Sequence, residues 1–208
     1  MSEATREKLI DAGIRLFGEQ GYEATTTRRI AEAAGANIGS IAYHFGNKHG
    51  LYLAAARHIA GELRQRLGLA DATDRGVPES REAAREALRG IARRMVRTFA
   101  EEDECRHWLL MVVREQVRPG EAFEILQAEA FGIVQARLAA LIARLTGQAA
   151  DDRRVILETH TLVGQIVFFL IAREPLLRRL GLRAFDAATL ADIEAVVEAH
   201  LEGYTPRR

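Results

Sequence analysis

Apolar positions recur along this chain at helical spacing, and no segment shows convincing strand alternation. Leu9, Ala12, Gly13, Leu16 and Phe17 fall at i, i+3, i+4, i+7 and i+8. That spacing predicts a first helix over 5–20 with one buried face, closed by Gly21. Two short helices follow, over 27–34, ending at Gly35, and over 38–45. A fourth starts near 47 and runs to about 67. The stretch 68–80, GLADATDRGVPES, is small and polar and is the best candidate boundary. Beyond it the periodicity predicts long amphipathic helices over 80–101, 104–117, 120–145, 151–173 and 186–202, with a short piece at 176–180. Pro78, Pro119, Pro175 and Pro206 lie outside the strongly periodic segments, so each can mark a break. The tail 204–208 is expected to fray. The fold class is all-α: a three-helix N-terminal unit plus a C-terminal helical bundle.

Composition changes this picture little. Of 208 residues, 48% are hydrophobic and 28% charged, as in an ordinary globular protein. The formal net charge is +0, so any surface for nucleic acid must be local. The single cysteine, Cys105, excludes an intrachain disulfide and favours a reducing compartment. The N-terminus lacks a signal pattern. The most apolar run, 162–172, is interrupted by Gly164 and Gln165 and falls short of the ~20 residues of a membrane span. The expectation is a cytoplasmic protein with no membrane partner.

The segment 25–51, TTTRRIAEAAGANIGSIAYHFGNKHGL, concentrates the candidate chemistry. Two short helices joined by a Gly-containing turn form a helix-turn-helix pattern. Thr26 is placed to cap the second helix, leaving first-turn N–H groups and the positive helix end for a phosphate. Arg29 stands where a capping box would carry Glu or Gln, and a DNA phosphate would offset that unfavourable cation. Asn37 suits the N-cap of the third helix. Ile41 and Phe45 are expected to face the core with Ile30, Ala31 and Ala34. Ile38, Gly39, Ser40, Ala42, Tyr43 and His44 are then expected on the opposite surface. Gly39 and Ala42 allow close approach to base edges, while Ser40, Tyr43 and His44 can hydrogen-bond bases or phosphates. Thr27, Arg28 and Lys48 complete the set, Lys48 as a phosphate contact.

Leu9-Ile10-x-Ala12, Leu16-Phe17, Gly21-Tyr22, Thr25-Thr26, Ile30-Ala31, Ala34-Gly35, Gly39-Ser40-Ile41, Tyr43-His44-Phe45, Lys48 and Leu51 together resemble the DNA-binding domain of the TetR family of transcriptional regulators. The resemblance covers about the first quarter of the chain. It implies a helix-turn-helix domain over 1–48, linked by the fourth helix to a ligand-binding and dimerisation domain over 68–208. It implies DNA contacts at Thr27, Arg28, Ile38, Gly39, Ser40, Tyr43, His44 and Lys48. Ala42, where the family usually has tyrosine, and Arg29, where it is usually acidic, depart from the pattern and bear on base specificity.

The resemblance further implies a homodimer, a palindromic double-stranded operator, a small-molecule effector and, most often, repression. The 151–173 helix carries Val155, Ile156, Leu162, Val163, Ile166, Val167, Phe169 and Leu170 on more than one face. The 186–202 helix carries Leu190, Ile193, Val196, Val197 and Leu201 in one stripe. Two such helices from each subunit would form a four-helix interface; the plainer alternative packs both stripes within one monomer. Cys105, His107, Trp108, Met111, Phe131, His160 and Phe168, with Val112 and Phe123, are of types that could line an effector cavity. The run Arg114-Glu115-Gln116, then Pro119 and Ala122-Phe123, is similar to the C-terminal domain of CerR-like regulators of the same family.

Glu104-x-x-His107 matches one element of a di-iron bundle site, but no second element accompanies it. Glu158-x-His160 and Glu198-x-His200 have i, i+2 spacing, which splays side chains apart on a helix. With no phosphate-cradling loop, zinc-type spacing or nucleophile motif, no metal, cofactor or enzymatic activity is expected.

Overall fold

A computed structural model describes residues 3–69, 76–101 and 103–206, and every element among them is helical. The helices are α1 Glu3–Gln20, α2 Thr27–Ala33, α3 Gly39–Phe45, α4 Lys48–Arg66, α5 Arg81–Glu101, α6 Asp103–Val117, α7 Glu121–Leu126, α8 Gly132–Thr146, α9 Arg153–Ile171, α10 Arg173–Leu180 and α11 Ala187–Leu201. A π-helical turn, Gln127–Phe131, lies between α7 and α8 in the chain. The expected all-α architecture holds, with helix ends within a few residues of the periodicity. Pro175, expected to mark a break, lies in the first turn of α10, where its missing N–H has no intrahelical partner to lose. The short piece expected at 176–180 therefore starts three residues earlier. Part of the expected boundary, 70–75, and the last two residues of the tail lie outside the described residues.

The chain forms two compact units that do not follow chain order. One comprises Met1–Leu63 and Asp103–Phe131, the other Arg64–Glu102 and Gly132–Arg208. In the first, α1 is the central helix, packed against α2, α3 and α6. Phe17, Leu9, Ile30, Ile41 and Leu51 are fully buried there. Close approach of α1 and α6 depends on Gly18: a Cβ at this position would sit 2.8 Å from the His107 carbonyl oxygen.

In the second unit α5, α8, α9 and α11 surround a core that includes Leu88, Ile91, Met95, Leu138, Leu141, Ile142, Leu162 and Ile166. An arginine ladder on α5 locks α11 in place. Arg89 pairs with Glu202, Arg93 with Glu198, and Arg97 with Glu194 at 2.7 Å. Arg85 donates to the carbonyls of Leu201 and Tyr204. Four-residue spacing of both charges on antiparallel helices brings each pair level.

Two helical stretches, Glu121–Thr146 and Arg153–Ile171, are long and apolar enough to cross a membrane, with mean hydropathy of 1.4 and 1.5. This corrects the expectation drawn from the shorter run 162–172. Leu138, Leu141, Ile142, Val155, Leu162 and Ile166 within them belong to the core of the second unit, and length and composition of this kind also mark core helices.

Candidate nucleic-acid interface

The approach to α2 is fixed before the helix begins. Thr25 is fully buried, its hydroxyl within 3.1 Å of the Leu16 carbonyl and 2.8 Å of that of Gly21. Thr26 adopts extended backbone, and its Oγ1 accepts from the Arg29 N–H, the expected cap. Arg29 does not wait for a phosphate: its guanidinium donates to the Gln20 side chain at the end of α1. Arg28 is highly exposed and pairs with Glu32 one turn on, at 2.9 Å.

The Asn37 side chain accepts from the Gly39 N–H at 2.8 Å, and its carbonyl accepts from Ser40. Asn37 thus serves the start of α3 as expected, with the regular helix beginning at Gly39. The outer face of α3 consists of Ile38, Gly39, Ala42 and Tyr43; Ile38 is 53% and Tyr43 68% exposed. Ser40 departs from expectation. It is only 2% exposed, and His44, one turn later, is half-buried with Nε2 shielded from solvent and without a hydrogen-bond partner. The reason is angular. At about 100° per residue, Ser40, Ile41 and His44 share the inner side, while Ile38, Gly39, Ala42 and Tyr43 share the outer one. Phe45 is half-buried at the edge, under the Arg6 guanidinium. The His44 ring meets the Tyr43 ring edge-on, 4.9 Å between centroids, and so braces it.

Lys48 also departs from expectation. Its ammonium donates to the carbonyls of Tyr22 and Thr25, both at 3.0 Å, and lies 4.2 Å from the centroid of the Tyr22 ring. An ammonium with three N–H groups has two of them committed to the turn that precedes α2. The cap of α4 comes from Asn47, whose side chain accepts from Gly50 at 2.9 Å. Gly50 is required there, because a Cβ would lie 2.0 Å from the Phe45 carbonyl oxygen.

The expected effector residues fall in both units. Cys105, Trp108 and Met111 are buried, and with His107 and Phe131 they belong to the first unit. His107 and Trp108 border an open groove of about 650 Å³ with Lys8, Asp11, Arg15 and the 33–35 turn. His160 instead borders a shallow groove between α8 and α9, and Phe168 stands 65% exposed on α9. Among the described residues no group of three His, Cys, Asp or Glu could hold a metal.

The expected interface helices divide in a way the periodicity did not reveal. Leu190, Ile193, Val197 and Leu201 of α11, and Val155, Leu162, Ile166 and Leu170 of α9, are buried within the chain itself. A second face of α9 remains outside: Leu157, His160, Thr161, Gly164, Phe168 and Ile171, one stripe without a formal charge at neutral histidine. Val196 lies exposed on α11, and a Gln165–His200 hydrogen bond links the two helices. Tyr204 closes the end of α9, its hydroxyl 3.4 Å from the Glu158 carbonyl; burial, then the Glu158 carboxylate, pushes its phenol up to about 12.

Comparison with known proteins bears on both halves of the chain. Residues 9–55 match the bacterial regulatory proteins of the tetR family. Residues 84–203 match the C-terminal domain of the HTH-type transcriptional dual regulator CecR, which is the subgroup name in place of CerR. The dual regulator CecR of Shigella flexneri is 35% identical over 204 residues, 96% of this chain and 91% of that protein. The transcriptional repressor AcnR of Corynebacterium glutamicum is 41% identical over 61 residues, 29% of this chain and 32% of that protein. Among solved structures, a regulator from Pseudomonas aeruginosa PAO1 shares the fold with a TM-score of 0.69 and 21% identity, over 95% of this chain and 88% of that one. AibR, solved with isovaleryl coenzyme A and operator DNA, also shares it, with a TM-score of 0.69 and 15% identity over 98% and 100% of the two chains.

Proposed function

The chain belongs to the TetR family of transcriptional regulators, and on that footing we propose that it binds a palindromic operator as a homodimer, represses there, and leaves the DNA when a small-molecule effector binds. Its relatives and fold neighbours are regulators, not enzymes.

The observation that carries the reading is the outer face of α3. Exposed apolar and aromatic groups on a seven-residue helix would be a liability unless something covers them. Gly39 and Ala42 let the helix sink into a major groove, where Tyr43 and Ile38 meet base edges and thymine methyls. Thr26, Thr27, Arg28 and Asn37 stand beside that face and take phosphates, with the capped start of α2 offering its N–H groups. Ser40, His44 and Lys48 serve from behind, holding α3 and the turn before α2.

The uncharged stripe of α9, continued by Val196 of α11, is the face for a second copy, giving a four-helix interface in the 151–173 and 186–202 regions. Two recognition helices then meet successive major grooves roughly 34 Å apart. The effector acts by binding one dimer shape better than the other. The groove bordered by His107 and Trp108 is its best seat, because its walls include α1 and the turn between α2 and α3. The chain works in the cytoplasm, with residues 1–48 as the reading head and 68–208 as the controlling part.

In vitro selection of bound duplexes by the full-length chain tests this. A two-fold symmetric consensus with half-site centres one helical turn or slightly more apart is the expected result. Recovery of no enriched site, or of a single asymmetric half-site, would overturn the operator and dimer reading.

A further inference from the structure

Arg114 and Glu115 form part of the pattern that resembles the subgroup's C-terminal domain, yet neither reaches the outer face of α3. Their contacts all lie within the first unit. Arg114 donates through Nε to the Gly18 carbonyl at 3.1 Å and through Nη2 to that of Glu19 at 3.3 Å. These are among the last carbonyls of α1, which have no partner in their own helix. Glu115 is 8% exposed. Its Oε2 accepts from the N–H groups of Gly120 at 3.2 Å and Phe123 at 2.9 Å, the orphan donors at the start of α7. Its Oε1 accepts from the Tyr52 hydroxyl on α4 at 2.6 Å. One buried carboxylate therefore joins α4, α6 and α7, and the neighbouring guanidinium adds α1.

From Tyr52 a contiguous set of contacts runs to the reading head. The Tyr52 ring meets Phe17 at 4.9 Å and Tyr22 at 5.0 Å between centroids. Tyr22 carries the Lys48 ammonium on its face and gives it a carbonyl, and the other carbonyl is that of Thr25, directly before the cap of α2. A second link runs in parallel: His49 in the first turn of α4 meets Glu121 in the first turn of α7 at 2.8 Å.

We propose that Arg114 and Glu115 are positioning residues for operator binding, a clasp on the α6–α7 elbow that sets the turn before α2 through Tyr52, Tyr22 and Lys48. A buried carboxylate with three donors has little freedom to shift without losing one of them, and loss of the Tyr52 contact leaves a buried hydroxyl unpaired. The elbow and the turn consequently move together. The consequence for affinity rests on the operator reading given above; the mechanical link does not.

The test uses two conservative variants of the full chain. Tyr52→Phe removes one hydroxyl, and Glu115→Gln keeps an oxygen for the α7 N–H groups while replacing the acceptor that faces Tyr52. Backbone hydrogen exchange reads the link without DNA. Exchange in the segment 22–33 should rise at least fivefold in both variants, beyond any change at 115–126. On a duplex carrying the selected site, at fixed salt and at a temperature where circular dichroism shows a folded protein, affinity should fall about tenfold with the salt slope unchanged, since no phosphate contact is lost. The double variant should be no worse than the poorer single one. Exchange changes confined to 115–126 and the surroundings of residue 52, with affinity within twofold of wild type, would reduce the clasp to local structure and overturn the proposal. Should the wild-type chain select no DNA, the operator reading fails and the exchange data alone decide the link. Should Glu115→Gln fail to fold, Tyr52→Phe decides it.

Discussion

The outward faces of α3 and α9 both expose apolar side chains, but they are held in opposite ways. The α3 face is a seven-residue helix surrounded by short polar ties: Thr25 on two carbonyls, Thr26 on Arg29, Asn37 on Gly39, Lys48 on the turn before α2. So short a helix has almost no stability of its own, and its geometry is imposed by these ties and by Ile41 beneath it. The α9 face belongs to a nineteen-residue helix whose inner side is already anchored in the core. It exposes Leu157, Phe168 and Ile171. The first face keeps its shape through local ties. The second is the outer side of a helix whose inner side is core.

That comparison breaks most sharply at Phe168. Phe168→Glu should abolish the dimer at micromolar concentration, weakening it at least about 100-fold, because symmetry removes two apolar burials worth roughly 1.5–3 kcal/mol each and buries two charges. Sedimentation velocity reads this directly. The melting of the protomer should barely change, since the ring is 65% exposed. An unaltered dimer would mean that α9 is not the interface and that the contrast between the faces has been misread.

A smaller effect is expected at Tyr43. Tyr43→Ala should lower operator affinity about 10- to 100-fold, in the range of 1–3 kcal/mol for a good base-edge contact, without shifting the melting curve. Equal affinity in a gel-shift titration at fixed salt would remove Tyr43 from the interface. Lys48 sharpens the distinction between contact and support. Lys48→Met should cost about 1–3 kcal/mol of stability by taking the ammonium from the Thr25 carbonyl and from that of Tyr22, which keeps only the Thr25 N–H, with the salt slope of binding unchanged. A slope lower by about one unit, with unchanged melting, would restore the lysine as a phosphate ligand.

These variants separate what the residue pattern made legible from what it hid. Caps and turns are local, so Thr26, Asn37 and the helix-turn-helix could be read from neighbours in sequence. The facing of α3 could not. Placing its core side on Ile41 and Phe45 put Ser40 and His44 outside, whereas the true inner side centres between Ser40 and Ile41. On a helix of two turns, one residue of error is enough to exchange core for surface. Lys48 was hidden for a different reason: its partners, Tyr22 and Thr25, are more than twenty residues away and are carbonyls, which no side-chain pattern records. Glu115 and Tyr52, 63 residues apart, were hidden in the same way. The arginine ladder was visible in principle, since Arg89, Arg93 and Arg97 repeat every fourth residue, as do Glu194, Glu198 and Glu202. Only antiparallel packing of α5 and α11 says that the two sets meet.

The ladder supplies the smallest expected effect, and it bears on the α9 face through α11, the helix that shares it. Two carboxylates on α11 are held below their usual range. Glu198 is lowered by its hydrogen bond from Arg93 and by the charges of Arg93 and Arg89. Asp186, the cap of α11, is lowered by the Thr189 hydroxyl and then by the Thr189 N–H. A depressed folded pKa contributes stability above the unfolded value, and that contribution is lost as pH falls through the folded one. Loss should therefore begin near the ordinary carboxylate pKa, about 4, and complete only below it. Between pH 7 and pH 5 it should be flat. Hydrogen exchange along α11, followed from pH 7 to pH 3 with correction for intrinsic rates, should show earlier loosening than α8. Asp186→Asn keeps a competent cap without the charge, and Glu198→Gln keeps the shape of the pair. A chain carrying both should show a shallower acid response in α11 while α8 behaves as before. If α11 and α8 loosen together in the wild type, the two carboxylates are not what holds this helix, and the α9 face is supported by apolar packing alone.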